Sequence, residues 1–234
     1  MNRAEYMKTI YESYDLVTVL SNKNGSEILR LRHKTLKKDL VVRNYSSAIK
    51  SYQKLKAISH QNIPIVYDVI NLDDGQVVLE EFVNGLTVAQ TLEAGKYSYH
   101  DAKKVVKSIC NALIVLHSMD IVHRDIKPEN VIVTSDGTIK LLDFNASRTY
   151  TAEKKADTVV LGTIGYAPPE QFGISQSDEK SDIYSVGVLL NVMLTGTHPS
   201  KKLAKGKAGK IVLKCTQIDP NSRFATAEKL IEAL

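Results

Sequence analysis

Over the first third of the chain the apolar positions fall in short runs rich in β-branched and aromatic residues. Residues 14–20 and 27–33 are two such runs, joined by SNKNGS, in which Asn24-Gly25 is a tight-turn signal. Residues 40–44 predict a third strand, and residues 65–71 and 76–83 predict a hairpin across Asp74-Gly75. Between them, residues 46–59 place Ala48, Tyr52, Leu55 and Ile58 at helical spacing. The pattern predicts a small sheet carrying one helix.

After NGLT the period changes. Ser98-x-x-Asp101 has the form of a capping box, and Val105, Ile109, Ala112, Leu113 and Leu116 give the following helix an apolar face. Strands are predicted at residues 131–134 and 139–142, around an Asp136-Gly137 turn. Residues 182–194 are apolar nearly all round, as a buried helix is, and two short helices follow. The expected fold class is α+β. A small β-rich lobe with one helix covers residues 1–83 and a larger, mainly helical lobe covers residues 84–234, together making one domain with its boundary near residues 80–85.

Composition narrows the partners. The 234 residues are 43% hydrophobic and 24% charged, which is ordinary for a water-soluble globular protein. Cys110 and Cys215 are far apart and in no metal-binding or redox spacing, so buried thiols in a reducing, cytoplasmic compartment are expected. The first fifteen residues lack the apolar stretch of a signal peptide, and the longest apolar run is too short to span a bilayer. The net charge is +5, and much of the excess sits in KKLAKGKAGK, which reads as a solvated basic loop. Aromatic and basic residues are not interleaved, so no nucleic-acid partner is expected. Oligomeric state is left open.

The candidate chemistry lies in HRDIKPEN, residues 123–130, and in LLDFN, which ends at Asn145. Phosphoryl transfer needs a carboxylate to orient the acceptor, metal ligands for the phosphates, and positive charge on the phosphate oxygens. Asp125 would accept the proton of a substrate hydroxyl. Asn130 and Asp143 would hold Mg²⁺, which takes hard oxygen donors. Lys127 would touch the transferred phosphate. A lone Asp or Asn in a loop is usually a turn former, but no turn needs all four residues at this spacing.

These motifs resemble the protein kinase family, in its Ser/Thr branch. HRDIKPEN is similar to the catalytic loop, DFN to the metal-binding DFG, and GTIGYAPPE (residues 162–170) to the end of the activation segment. SDIYSVGVLL is similar to the central buried helix and DPNSRF (residues 219–224) to a late structural motif. GYAPPEQFG looks like bacterial members. The resemblance implies ATP with Mg²⁺ or Mn²⁺ as cofactors and a protein substrate with Ser or Thr hydroxyls. It implies catalytic roles for Asp125, Lys127, Asn130 and Thr163, the last bonding Asp125 and Lys127. It further implies nucleotide contacts from Ile28, Val41, Arg43, Glu81, Val83 and Ile132. Glu170 would pair with Arg223, Asp182 would bond the catalytic-loop backbone, and His123 and Phe144 would pack in the core. Arg124 would meet a phosphate on the activation segment, with Thr151 or Thr158 as the phosphosite.

The nucleotide half departs from the family. Ser21, Lys23 and Ser26 stand where the phosphate-cradling loop has glycines. Arg43 replaces the strand lysine, Ser51 the helix glutamate that pairs with it, Val41 a small alanine, and Asn145 the glycine of DFG. Residues 200–209 stand in place of a helix and a long loop. Two readings stay open: a protein Ser/Thr kinase, and a pseudokinase that binds nucleotide or partners without turnover. GTIGYAPPE, a peptide-docking segment in the family, argues against a small-molecule kinase. Because Arg43 should not lie buried without a counter-charge, Glu80, on the neighbouring strand, is expected to replace the lost glutamate.

Overall fold

The computed structural model describes residues 1–23, 25–149, 165–172 and 177–234. Asn24 of the first predicted turn, Thr163, and the candidate phosphosites Thr151 and Thr158 lie outside the described residues. The chain divides into two compact units, residues 1–60 with 64–83, and residues 61–63 with 84–234.

The first unit is a five-stranded antiparallel sheet of β1 (Tyr14–Lys23), β2 (Ser26–His33), β3 (Asp39–Tyr45), β4 (Val66–Leu72) and β5 (Gly75–Glu81), in the order β1-β2-β3-β5-β4. Residues alternate between its faces. Leu29, Leu31, Leu40, Val42 and Val77 line one face and bury Met7 of a helix, α1 (Arg3–Ser13). This helix corrects the expectation of a single helix in the first lobe. Its apolar stripe is thin, but its start is well specified. Asn2 and Glu5 form a capping box, the Asn2 side chain accepting from Glu5 N and the Glu5 side chain from Asn2 N. Arg3 anchors it to the β4–β5 turn, its backbone amide and Nε donating to the Asp74 carboxylate at 2.7 and 3.2 Å.

The helix expected over residues 46–59 is shorter, α2 (Ser51–Leu55). Its N-cap position is Lys50, which makes no side-chain cap, and the preceding Ile49 amide is captured by the Gln76 side chain at 3.1 Å. Beyond Leu55 the chain tightens into i to i+3 bonds at Ala57 and Ile58. Tyr52 of α2 is fully buried beside Tyr45, the two hydroxyls 3.2 Å apart.

The second unit starts with β6 (Gly85–Thr87) and α3 (Val88–Ala94), then α4 (Tyr99–Ser118) and β7 (Ile121–Val122). The Ser98 hydroxyl caps α4 by accepting from Asp101 N and donating to the Asp101 carboxylate. Next come β8 (Val131–Thr134) and β9 (Ile139–Leu141), which with β6 make a sheet in the order β6-β8-β9, and β10 (Arg148–Thr149), paired with β7. Residues 61–63 belong here because Asn62 is tied to β9, donating to Ile139 O at 2.7 Å and accepting from Leu141 N at 2.9 Å. The core helix is α5 (Glu179–Thr195), followed by α6 (Gly206–Cys215) and α7 (Ala227–Ala233). Gly187 lets α6 approach α5, since a Cβ there would sit 2.3 Å from Cys215 Cβ.

Candidate functional site

The segment between β7 and β8 is irregular, so its backbone groups need partners from outside the ladders. Asp182, fully buried on α5, supplies them. Its carboxylate accepts from His123 N at 2.9 Å, from Arg124 N at 2.8 Å, and from His117 Nε2 at 2.8 Å. Burial pushes the Asp182 pKa up, but the His117 bond and charge and the backbone amides outweigh it, and the carboxyl stays below its ordinary value. On the other side, Gln171 Nε2 donates to Arg124 O at 2.9 Å. Arg124 is held at φ 71°, which a bulky side chain rarely adopts. Such backbone costs on the order of 1–3 kcal/mol and persists only where its surroundings enforce it.

This strained turn presents Asp125. Its carboxylate lies 2.8 Å from Lys127 Nζ and accepts from Asn130 Nδ2 at 2.9 Å, and Asn130 Nδ2 also donates to Asp125 O at 2.8 Å. A base, a cation and an amide are thus fixed to one another within six residues. His123 supports them from below. Asp125 N donates to its Nδ1 at 3.3 Å, so Nε2 carries the proton and donates to Leu142 O at 3.0 Å. Burial pushes the His123 pKa down, in keeping with a neutral ring. The ring meets Phe144 edge-on, centroids 5.1 Å apart, and both residues are buried as expected.

Asp143 stands at φ 65°, in the left-handed region, whereas Asn145 does not. The residue that replaces glycine is therefore not the one carrying the unusual backbone. Asn145 N instead donates to Asp143 Oδ1 at 3.3 Å. Leu142 N donates to Asn130 O at 2.8 Å, which tethers the segments bearing Asn130 and Asp143. These two side chains fit a magnesium ion in donor chemistry. The Asn130 nitrogen is taken by Asp125, which reserves its amide oxygen, and Asp143 offers a carboxylate. Mg²⁺ commonly takes only one or two protein carboxylates and completes its shell with water and phosphate oxygens.

In the first unit, cross-strand register sets a second group. Ile28 lies opposite Arg43, and Val41 lies opposite Glu80. Residues directly opposite share a face, so Ile28, Val41, Arg43 and Glu80 lie on one side of the sheet, away from α1. Arg43 and Glu80 are diagonal neighbours, and long side chains span that diagonal. Arg43 Nε donates to Glu80 Oε1 at 2.7 Å, and both side chains are about 95% buried. The expected pairing is present. Glu81 is turned the other way, its carboxylate accepting from Ile65 N at 3.0 Å, and Val83 is buried. Ile132 lies in the second unit, on β8 opposite Thr87.

β1 and β2 end on each other. Lys23 faces Ser26, and the Ser26 hydroxyl donates back to Lys23 O at 2.9 Å. Gly25, at φ 75°, supplies the left-handed position. Ser26 therefore spends its side chain on Lys23.

The late motifs form as expected. Arg223 grips Glu170 through Nη1 at 2.6 Å and Nη2 at 3.0 Å, and also donates to Gln217 O and Lys180 O. Sequence reasoning missed Gln171 and His117. Gln171 sits within the quoted GYAPPEQFG stretch, but nothing in its spacing announced a bond to Arg124. His117 looked like one more helix residue.

The sequence profile described as protein kinase domain matches residues 17–233. The chain is 34% identical over 162 residues to a probable serine/threonine-protein kinase PknB of Lactococcus lactis, covering 67% of this chain and 26% of that protein. It is 32% identical over 203 residues to the serine/threonine-protein kinase PrkC of Bacillus subtilis, covering 76% of this chain and 31% of that protein. It is 28% identical over 212 residues to the serine/threonine-protein kinase kin-29 of Caenorhabditis elegans, covering 86% of this chain and 26% of that protein. The chain thus spans between 26% and 31% of the length of these curated relatives.

Proposed function

Since the chain belongs to the protein kinase family, in its Ser/Thr branch, we propose that it transfers the γ-phosphoryl group of Mg-ATP to serine or threonine hydroxyls of a protein substrate. The observation that carries this reading is the fixed constellation of Asp125, Lys127 and Asn130 on a backbone strained into place by Asp182. A chain that only bound partners would gain nothing from holding a carboxylate, a cation and an amide on a turn that stores strain.

Asp125 is the group that orients the acceptor hydroxyl and takes its proton. Lys127, beside it, places positive charge where the phosphoryl oxygens gain charge. Asn130 Oδ1 and the Asp143 carboxylate would hold the magnesium ion, which supplies charge neutralisation on the phosphates when bound. Thr163, in this reading, bonds Asp125 and Lys127. In the first unit Arg43 contacts the phosphates, and Glu80 orients its guanidinium. Ile28, Val41 and Val83, with the Glu81 backbone and Ile132, would contact the adenosine. Arg is longer and flatter than Lys, so the pair with Glu80 matters more than it would for a point charge.

The test is transfer of labelled γ-phosphate to a serine-containing protein in Mg²⁺ or Mn²⁺. Asp125→Asn should lower the rate about 100-fold or more, as loss of a positioned base does. Asp143→Ala should abolish transfer, with the thermal unfolding transition retained in both variants. Undiminished transfer by Asp143→Ala would sink the metal assignment. Thermal stabilisation by Mg-ATP without any transfer would identify a nucleotide-binding module instead.

A further inference from the structure

The second unit contains a cavity that phosphoryl transfer does not use. It measures about 400 Å³ and is lined by Leu194, Leu203 and Ala208, with Lys202, Lys205 and Lys207 around it. That volume falls within the roughly 300–1,000 Å³ of ligand pockets. The three lysines are exposed, and among the described residues none of them meets a carboxylate. Residues 195–216 hold six lysines and no acid, so this stretch exceeds the chain's whole net charge of +5.

The wall of the cavity is built. Asn191, fully buried on α5, donates to Lys202 O at 2.8 Å and accepts from Ala204 N at 2.8 Å. Gly209 completes the fit, because a Cβ there would lie 2.0 Å from Ala204 O. The backbone that presents Lys202 and Leu203 is therefore fixed before anything binds, which lowers the ordering cost of association.

We propose that this cavity is a docking site for a short acidic segment of a protein substrate, with one apolar side chain seated on Leu194, Leu203 and Ala208 and its flanking carboxylates against Lys202, Lys205 and Lys207. Naming the occupant a substrate rests on the phosphotransfer reading, but the binding itself does not. Charge complementarity selects an acidic partner, and the apolar floor selects one with a hydrophobic anchor. Polynucleotide offers no branched aliphatic side chain of leucine size for that floor. The rim also has lysines and no arginine, the residue suited to gripping phosphate with two bonds. A lipid surface calls for protruding apolar residues rather than a recess.

The test uses the whole chain and a fluorescein-labelled hexapeptide, DEELED, followed by anisotropy. The same peptide with glycine for leucine should bind about tenfold more weakly or worse, as loss of one buried leucine predicts. Lys202→Glu/Lys205→Glu/Lys207→Glu, which changes only exposed side chains, should weaken DEELED about tenfold or more, and so should raising salt from about 0.05 M to about 0.5 M. Equal affinity for the two peptides, an unaffected triple variant, or tighter binding to phosphatidylglycerol vesicles or to oligo-dT than to DEELED would each overturn the proposal. Fusing DEELED to a serine-containing substrate should lower KM about tenfold for the native chain and not for the triple variant. Turnover of the unfused substrate should be the same in both. If the chain turns over no substrate at all, the phosphotransfer reading fails while the anisotropy result stands.

Discussion

Arg43 and Glu80 show how one lost partner is replaced through geometry. Ser51 cannot neutralise a guanidinium, but the diagonal of the β3–β5 pair brings a carboxylate to Arg43 from within the same sheet. Replacing Glu80 by Leu should destabilise the chain by about 3 kcal/mol, because a buried pair broken on one side leaves a charge behind. The double replacement Arg43→Met/Glu80→Leu should recover most of that loss in a denaturant titration while failing to restore ATP turnover. A Glu80→Leu variant with unchanged stability and unchanged KM for ATP would show that the pair neither stabilises the sheet nor orients Arg43.

Elements whose borders carry strong local signals were legible in the sequence. The strand at Val131–Thr134 and the helix capped by Ser98 lie where the pattern put them. The core helix was legible from its all-round apolar face, because α5 is buried on nearly every side. What stayed hidden was set by tertiary contact. Helix α1 buries only Met7 fully in the core, with Tyr6 and Ile10 packed half-exposed beside it, and a sequence window cannot see Leu29, Leu31 and Val42 waiting for it. Residues 46–50 look helical in isolation, yet the Gln76 side chain takes the Ile49 amide. Asp125, Lys127 and Asn130, which the structure brings into contact, could be picked out from spacing, whereas Gln171 and His117 could not, since each acts through a contact distant in sequence. Met7→Ala tests how far α1 secures the first unit. It should cost about 2 kcal/mol, toward the low end for a buried methionine because the helix lies at the surface, and thermal unfolding would read it. No shift at all would mean that α1 is held by Tyr6, Ile10 and its polar anchors without help from Met7.

At the scale of the whole molecule, stability should fall in acid for identifiable reasons. Asp39 is held at about 2, mainly by its bond to Arg32 and further by Arg30, against an ordinary carboxyl near 4. A carboxyl depressed in the folded state contributes stability that is present above its unfolded pKa and lost as pH falls through the folded value. The Asp39 contribution should therefore be complete by about pH 5 and drain away toward pH 2. Asp39→Asn should flatten that limb of a stability profile, and an unchanged acid limb would count against the assignment. The second unit also carries its own clock. Cys110 and Cys215 are sealed in its core, the latter where Gly187 admits α6 against α5. Burial raises both thiols, Cys215 to about 12, so neither forms a thiolate near neutral pH while the fold is closed. An alkylating reagent can mark them only during an opening. With reagent in excess, mass spectrometry should find molecules carrying no label or two and few carrying one, because a cooperative unit exposes both sulfurs in the same event. The decay of the unlabelled population then gives the lifetime of the closed state, and an accumulating species marked on Cys215 alone would show that α6 peels away before α4 lets go.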